Sequence, residues 1–448
     1  MGEATVKEKI KAMLVLKKYG DLREYLSHIN GADIVLIFNE LPEENIPVLF
    51  RLLQKDTAAQ VFAMMDSDRQ EMLIRGFSDN EIHEVFDELY VDDAADIVEE
   101  MPANVVKRIL KNTDAQTRRM INEILKYPED SAGSLMNTEY ISLRPDMTVV
   151  EAKKRIRRVI ADAETVYICF VTDSERRLMG LISIKTLLLA NDDEIIQDII
   201  DDTDIYVYTT TDKEDVAKAM NKYDLVAMPV VDAEMRLVGM VMFDDAIDVM
   251  QDETTEDIEK MAAIAPHEES YFKTSDIKHA KNRIVWLLIL MLSSSITGII
   301  ISNYEAAFAS HAILVSFIPM IMGTGGNCGS QSATLIIRGM SVDDIKLKDF
   351  LRVVWTEFRV SVIISAALAA FNAVRIMIQY GDAVLAAVIS LSIVGTVILS
   401  QFIGCMLPMA AKRLKLDPAV MASPLITTIV DVASLMIYFS IATKFFNI

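Results

Sequence analysis

The chain has 448 residues, room for two to four domains at roughly 100–200 residues each. Its 52% hydrophobic content is too apolar for an ordinary soluble protein, and its 24% charged content is too high for one wholly embedded in lipid. The charge is segregated: the first 270 residues hold 30 basic and 56 acidic side chains, net −26, and the rest hold 14 and 9, net +5. An acidic domain repels phosphate, which argues against nucleic-acid binding. Three cysteines cannot build a disulfide framework, and apolar residues throughout argue against disorder.

In chain order, residues 1–130 read as helices. Apolar residues recur every three or four positions, as in Val48, Leu49, Leu52 and Leu53. Asp56-Thr57-Ala58-Ala59 and Met65 recur as Asp92-Asp93-Ala94-Ala95 and Met101, an offset of 36 that suits stacked helical hairpins. A second repeat follows. Asp173, Arg177, Leu178 and Gly180 match Asp232, Arg236, Leu237 and Gly239 at a constant offset of 59. Each unit reads as strand, turn, strand with Gly at its start, then helix, and a helix precedes each pair (Thr148–Val159, Glu214–Lys222). This resembles a tandem pair of CBS domains, assigned to 131–198 and 199–250. The resemblance implies regulation by an adenine nucleotide or an ion, and ATP is a candidate ligand. Asp173 and Asp232 fall in the turns.

The second module runs into an acidic connecting helix, 251–282 with its linker. Asp245, Asp248, Asp252, Glu256 and Glu259 are spaced 3, 4, 4 and 3, which puts them on one helical face. Like charges there destabilise the helix unless something neutralises them. Asp92 with Asp93 and Asp96, and Asp192 to Asp204, add further acidic groups. Mg²⁺ prefers carboxylate and water oxygens, so it suits such surfaces as a bridge.

Residues 283–448 contain five stretches near the roughly 20 residues that a spanning helix needs: 284–302, 307–337, 353–378, 383–411 and 419–446. Lys273, Lys278, Lys281 and Arg283 precede the first. Arg338, Lys346, Lys348 and Arg352 follow the second, and Lys412, Arg413 and Lys415 follow the fourth. The opposite loops carry no Lys or Arg, so the N-terminal part is expected in the cytoplasm and the C-terminus outside. Gly323-Thr324-Gly325-Gly326-Asn327-Cys328-Gly329 should loosen the second span and free carbonyls, the other reading of such a run being close helix packing. Asp431 lies about twelve residues into the fifth, where a carboxylate costs several kcal/mol unless it faces water, a partner or an ion. Together they point to a cation path. No catalytic constellation and no G-x-x-x-x-G-K-[ST] run appears, and His28, His83, His267, His279 and His311 are scattered.

At these residues the chain resembles the MgtE family of magnesium channels along nearly its whole length. The motifs are Gly325 to Thr334 with Arg338-Gly339, Asp417-Pro418-Ala419, Pro424, Thr427-Thr428, and Asp431 with Tyr438-Phe439. The resemblance implies a multidomain architecture: an all-α superhelical N-domain, a CBS pair, an acidic plug helix and a five-helix transmembrane domain. It implies a homodimer in the lipid bilayer, with the second and fifth spans lining a pore on its two-fold axis. Asp431 of each copy would hold hydrated Mg²⁺, helped by Ser423 and Thr427. Regulatory Mg²⁺ would bind at Asp245, Asp248, Glu253, Glu256 and Asp257, with Asp212, Glu214, Asp224, Asp92 and Asp96 from the neighbouring domains, and would close the pore. Two positions depart from the family pattern: Ser434 replaces a Gly, and Val285 replaces the Pro before Trp286. Two other readings stay open: a divalent-cation exchanger driven by Na⁺ or H⁺, and a membrane-anchored nucleotide or ion sensor without transport.

Overall fold

A computed structural model describes residues 3–161, 163–201, 205–267, 271–272, 274–421 and 423–446, leaving aside the side chains of 3–5, 7, 305–310 and 423. The chain divides into two compact units, Met1–Met250 and Gln251–Ile448.

The first unit begins with short helices, from Glu3–Val15 to Ala115–Ile124. Polar caps start them. The Ser78 hydroxyl accepts from Glu81 N while the Glu81 carboxylate accepts from Ser78 N, and Asp114 accepts from the N–H groups of Gln116 and Thr117. Their apolar stripes meet in one core around Leu22, Phe38, Phe62, Phe86, Ile97 and Ile109. The 36-residue repeat falls on the helix Lys55–Ala63 and on α1 (Val91–Glu100).

The CBS modules follow. Strand β1 (Ser142–Leu143) precedes α2 (Val149–Val159), β2 (Ile168–Thr172) and β3 (Leu178–Ser183). Strand β4 (Val207–Tyr208) precedes α3 (Lys213–Tyr223), β5 (Ala227–Val231) and β6 (Leu237–Met242). Each sheet has a parallel pair and then an antiparallel pair, in the orders β1-β2-β3 and β4-β5-β6. The offset of 59 is exact in the register: Val171 faces Gly180, and Val230 faces Gly239. Both glycines stand third in their strands because another chain segment crosses there. A Cβ on Gly180 would lie 2.6 Å from Asp201 O, and one on Gly239 would lie 2.8 Å from Asn137 O.

Asp173 and Asp232 have turn duties. Each Oδ1 accepts two backbone N–H groups, from Glu175 and Arg177 at 2.8 and 2.9 Å, and from Glu234 and Arg236 at 3.0 and 2.8 Å. The two turns then join the modules: Leu178 N donates to Met235 O and Leu237 N donates to Arg176 O, at 3.0 and 2.9 Å. Phe170, Ala227, Leu237 and Met240 fill the seam. Burying side chains as large as Phe, Leu and Met contributes about 1.5–3 kcal/mol each.

Helix α4 (Phe243–Met261) follows β6 directly, so the acidic helix is the closing helix of the second module prolonged. Among its described residues the second unit holds five helices long and apolar enough to cross a membrane: α5 (Asp276–Phe308), α6 (Ile318–Ser341), α7 (Phe350–Tyr380), α8 (Ala383–Arg413) and α9 (Ser423–Phe446). Helix α8 is central, and α5 leaves nearly all of its apolar surface uncovered.

Two expectations for the second span need correction. The distortion precedes the glycines: Ala309–Phe317 is a 3₁₀ segment with His311 off helical angles, and α6 starts at Ile318. The glycine run itself is unbroken helix, so its carbonyls stay within the helix. The glycines serve close packing. A Cβ on Gly329 would lie 2.9 Å from Ile426 Cγ2, and one on Gly404 would collide with the Gly329 carbonyl.

Candidate functional site

The strongest constellation in the first unit lies where three segments converge. Asp92 is the second residue of α1 and Asp245 the third of α4, so both carboxylates sit at helix N-termini, where the dipole favours negative charge. Glu164 comes from the loop between α2 and β2, fixed by its N–H to Glu139 O at 3.1 Å. One oxygen of each carboxylate lies within 4.8 Å of the others. Asn137 Nδ2 donates to Asp92 Oδ1 at 3.0 Å, but Glu164 Oε2 and Asp245 Oδ2 are buried with no hydrogen-bond partner among the described residues.

Burial, and then mutual repulsion, raises every carboxyl here. Glu164 is pushed up to about 9 by burial, then by the charges of Asp92 and Asp245. Burial and then Asp92 and Asp244 push Asp245 up to about 8. Asp93 reaches about 7 for the same reasons. Asp92 reaches only about 6, because N–H groups of its own helix and the Asn137 amide offset part of its burial. Buried carboxylates without basic partners are neutralised by a proton or by a cation. Mg²⁺ fits the donor set: three hard oxygens can hold it while it keeps several waters. Asp92, Glu164 and Asp245 would be its ligands.

Other residues expected at regulatory sites lie elsewhere. Asp96, one turn beyond Asp92, keeps solvent access yet lies close enough that burial, then the charges of Asp92 and Asp93, push its carboxyl up to about 7. Asp212 caps α3 through Glu214 N at 2.9 Å, and Glu214 pairs with Lys218 at 2.6 Å. Asp224 is an exposed left-handed residue ending α3. Asp248 is exposed on α4. Glu253 and Asp257 lie further along α4, and Glu256 pairs with Lys260. Asp202, Asp204 and Lys273 lie outside the described residues. Glu164 went unnoticed in the sequence: it stands 72 positions after Asp92 and 81 before Asp245, and no local pattern marks it. His267 and His279 are not scattered. Their rings lie 5.7 Å apart, and His267 Nδ1 is 2.9 Å from Glu259 Oε1.

In the second unit, Asp431 stands nine residues into α9 and is partly exposed. Among the described residues no hydrogen bond or ion pair engages its carboxylate. Thr427, one turn earlier on the same face, donates to Pro424 O at 2.9 Å and packs against Gly326 of α6. The side chain of Ser423 lies outside those described. Tyr438 anchors α9 from the far end, its hydroxyl donating to Leu314 O at 2.7 Å. A second intramembrane carboxylate escaped the sequence reading. Glu357 of α7 accepts from Ser332 Oγ of α6 at 2.8 Å.

An acidic helical domain, a CBS pair, and a five-span region whose Asp431 carboxylate has no partner among the described residues define the class, a multi-pass membrane transport protein with a large region outside the membrane. Comparison makes this specific. The divalent cation transporter model of the MgtE family matches 318–441, the MgtE intracellular N domain matches 29–130, and CBS domains match 132–193 and 196–252. The magnesium transporter MgtE of Thermus thermophilus is 36% identical over 94% of both chains, and that of Bacillus subtilis is 32% identical over 99% of this chain and 98% of its own. The crystal structure of the cytosolic domain of the Mg²⁺ channel MgtE in complex with ATP aligns at TM-score 0.52 and 35% identity, covering 54% of this chain and 99% of that one. The chain belongs to the MgtE family of divalent cation transporters.

Proposed function

We propose that this protein is a Mg²⁺ channel of the cytoplasmic membrane, closed from inside by Mg²⁺ bound at its acidic cytosolic part. The observation that carries the reading is Asp431, an intramembrane carboxylate with no partner among the described residues, beside the close-packed glycines of α6. One carboxylate per chain makes half a filter, and a homodimer about α6 and α9 completes a ring of two. The uncovered apolar surface of α5 suits lipid or a second copy. Mg²⁺ sheds water reluctantly, so a pair of Asp431 side chains selects by charge and hydrated size together. Basic loops support a cytoplasmic N-terminus and an outside C-terminus.

The trio Asp92, Glu164 and Asp245 is the proposed sensor. It joins α1 to both CBS modules, so filling it with Mg²⁺ holds the first unit compact, and emptying it lets like charges part. ATP is proposed at the CBS pair, because the related cytosolic domain was crystallised in complex with ATP. The test is Mg²⁺ uptake into proteoliposomes loaded with a Mg²⁺ dye, with cytoplasmic-side Mg²⁺ varied. Uptake that requires Asp431 and stops as cytoplasmic-side Mg²⁺ rises into the millimolar range supports both sites. Uptake strictly dependent on a Na⁺ or H⁺ gradient replaces the channel by an exchanger.

A further inference from the structure

The last turns of α4 hold a contact that none of the roles above uses. Lys260 Nζ lies 2.6 Å from Glu256 Oε1, one turn back on the same helix, and 2.7 Å from Asp417 Oδ2, in the segment leading into α9. The lysine side chain is 23% exposed, less than either carboxylate. Burial lowers the Lys260 pKa, but the hydrogen bonds and charges of Asp417 and Glu256 outweigh it and raise it, so the ammonium stays charged. Asp417 keeps its other oxygen on the Ala419 N–H at 2.8 Å, which ties it to the Pro418–Met421 turn before α9. The next residue of α4, Met261, packs against the apolar cluster formed by Ala333 and Ile337 of α6, Ala419, and Ile426 and Val430 of α9. A charge and an apolar side chain therefore fasten the end of α4 to the segment leading into α9, the helix that carries Asp431, and to the apolar cluster it shares with α6.

We propose that Lys260 is a positioning residue for gating: its ammonium, shared by Glu256 and Asp417, holds the end of α4 on α6 and α9 without a bound metal ion. The consequence for uptake rests on the Asp431 pathway, but the docking does not. Without the ammonium, two carboxylates face each other across the space of one nitrogen and repel. Docking then needs a divalent cation to replace the lost charge. Lys260→Met thus converts a metal-independent contact into a Mg²⁺-dependent one, whereas Lys260→Arg keeps it.

The experiment uses the full chain in proteoliposomes with Met261→Cys as a reporter, labelled by a maleimide from the cytoplasmic side. The protein without Met261→Cys supplies the background, since Cys169, Cys328 and Cys405 are buried. In chelator, Lys260→Met should raise the labelling rate at least about fivefold, millimolar Mg²⁺ should restore it, and Lys260→Arg should stay within about twofold of the parent. Equal rates for Lys260→Met and the parent in chelator overturn the tether, whatever uptake does. Faster labelling with no Mg²⁺ uptake in the parent upholds the tether and overturns the transport reading. If Lys260→Met gives too little folded protein, the exchange Lys260→Glu with Asp417→Lys makes the same comparison, with parent-like labelling expected and fast labelling counting against the tether.

Discussion

The two carboxylate centres handle negative charge in opposite ways. The cytosolic centre gathers Asp92, Glu164 and Asp245 from one chain, within 4.8 Å, and pays in mutual repulsion. The proposed membrane centre has Asp431 from each chain, which the proposed homodimer would bring into a pair. The first is complete and tight within one chain, which suits the proposed sensor, since a sensor must distinguish filled from empty. The second is incomplete and loose within one chain, which suits the proposed path, since an ion must leave it.

The sharpest way to break this contrast is at Asp431. Asp431→Ala should lower Mg²⁺ uptake by about 100-fold or more, with thermal stability little changed, because no described side chain loses a partner. Uptake near the parent level would move the filter elsewhere, Glu357 being the next carboxylate to examine. At the cytosolic centre, Asp245→Asn with Glu164→Gln should leave maximal uptake intact and raise the half-inhibitory Mg²⁺ about tenfold, a loss of roughly 1.4 kcal/mol of coupling. An unchanged inhibition curve would show that the trio is not the sensor.

A smaller effect separates the centres by pH. The ordinary values of these groups are 3.8 for Asp and 4.5 for Glu, and the folded protein raises them to between about 6 and about 9. Over that window the folded state keeps protons that the unfolded chain has released, so their stabilising contribution is present at low pH and is lost as pH rises. In chelator the melting temperature of the full-length protein should fall from pH 5 to pH 9, and Mg²⁺ should flatten the slope by doing the protons' work. A slope that survives Mg²⁺, or that persists in Asp245→Asn with Glu164→Gln, would assign it to other groups.

Much of this was legible. The 59-residue offset reached the strand register itself, because a repeated backbone needs its turn Asp and its crossing-point Gly at matched positions. Asp431 was legible because a carboxylate among apolar residues is conspicuous. Glu164 was not, since its partners are set by how a loop meets two distant helices. The glycines of α6 misled: their density reads equally as a broken helix or as a close-packed one. The Gly329–Gly404 approach, which decides between them, is a tertiary fact.

The smallest effect tests how that packing tolerates Ser434, which stands where the family resemblance leads one to expect Gly. Its hydroxyl is buried and has no partner among the described residues, 2.7 Å from where a Cβ on Gly325 would stand, with Thr396 Cγ2 at 2.8 Å and Val430 Cγ1 at 2.9 Å from the same point. The absence of a side chain on Gly325 is therefore what makes room for Ser434. Ser434→Gly should change stability by less than about 1 kcal/mol, because losing an unpaired buried hydroxyl helps while a mid-helix glycine costs about as much. Gly325→Ala should cost about 1–3 kcal/mol from overpacking. Ser434→Gly should recover only part of that cost in the double variant, since Thr396 and Val430 still crowd the new methyl. Melting of the four proteins gives the coupling, expected at about 0.5–1 kcal/mol. Strict additivity would mean that α6 and α9 shift apart freely here, and the tight seam beside Asp431 would then not hold the pathway in place.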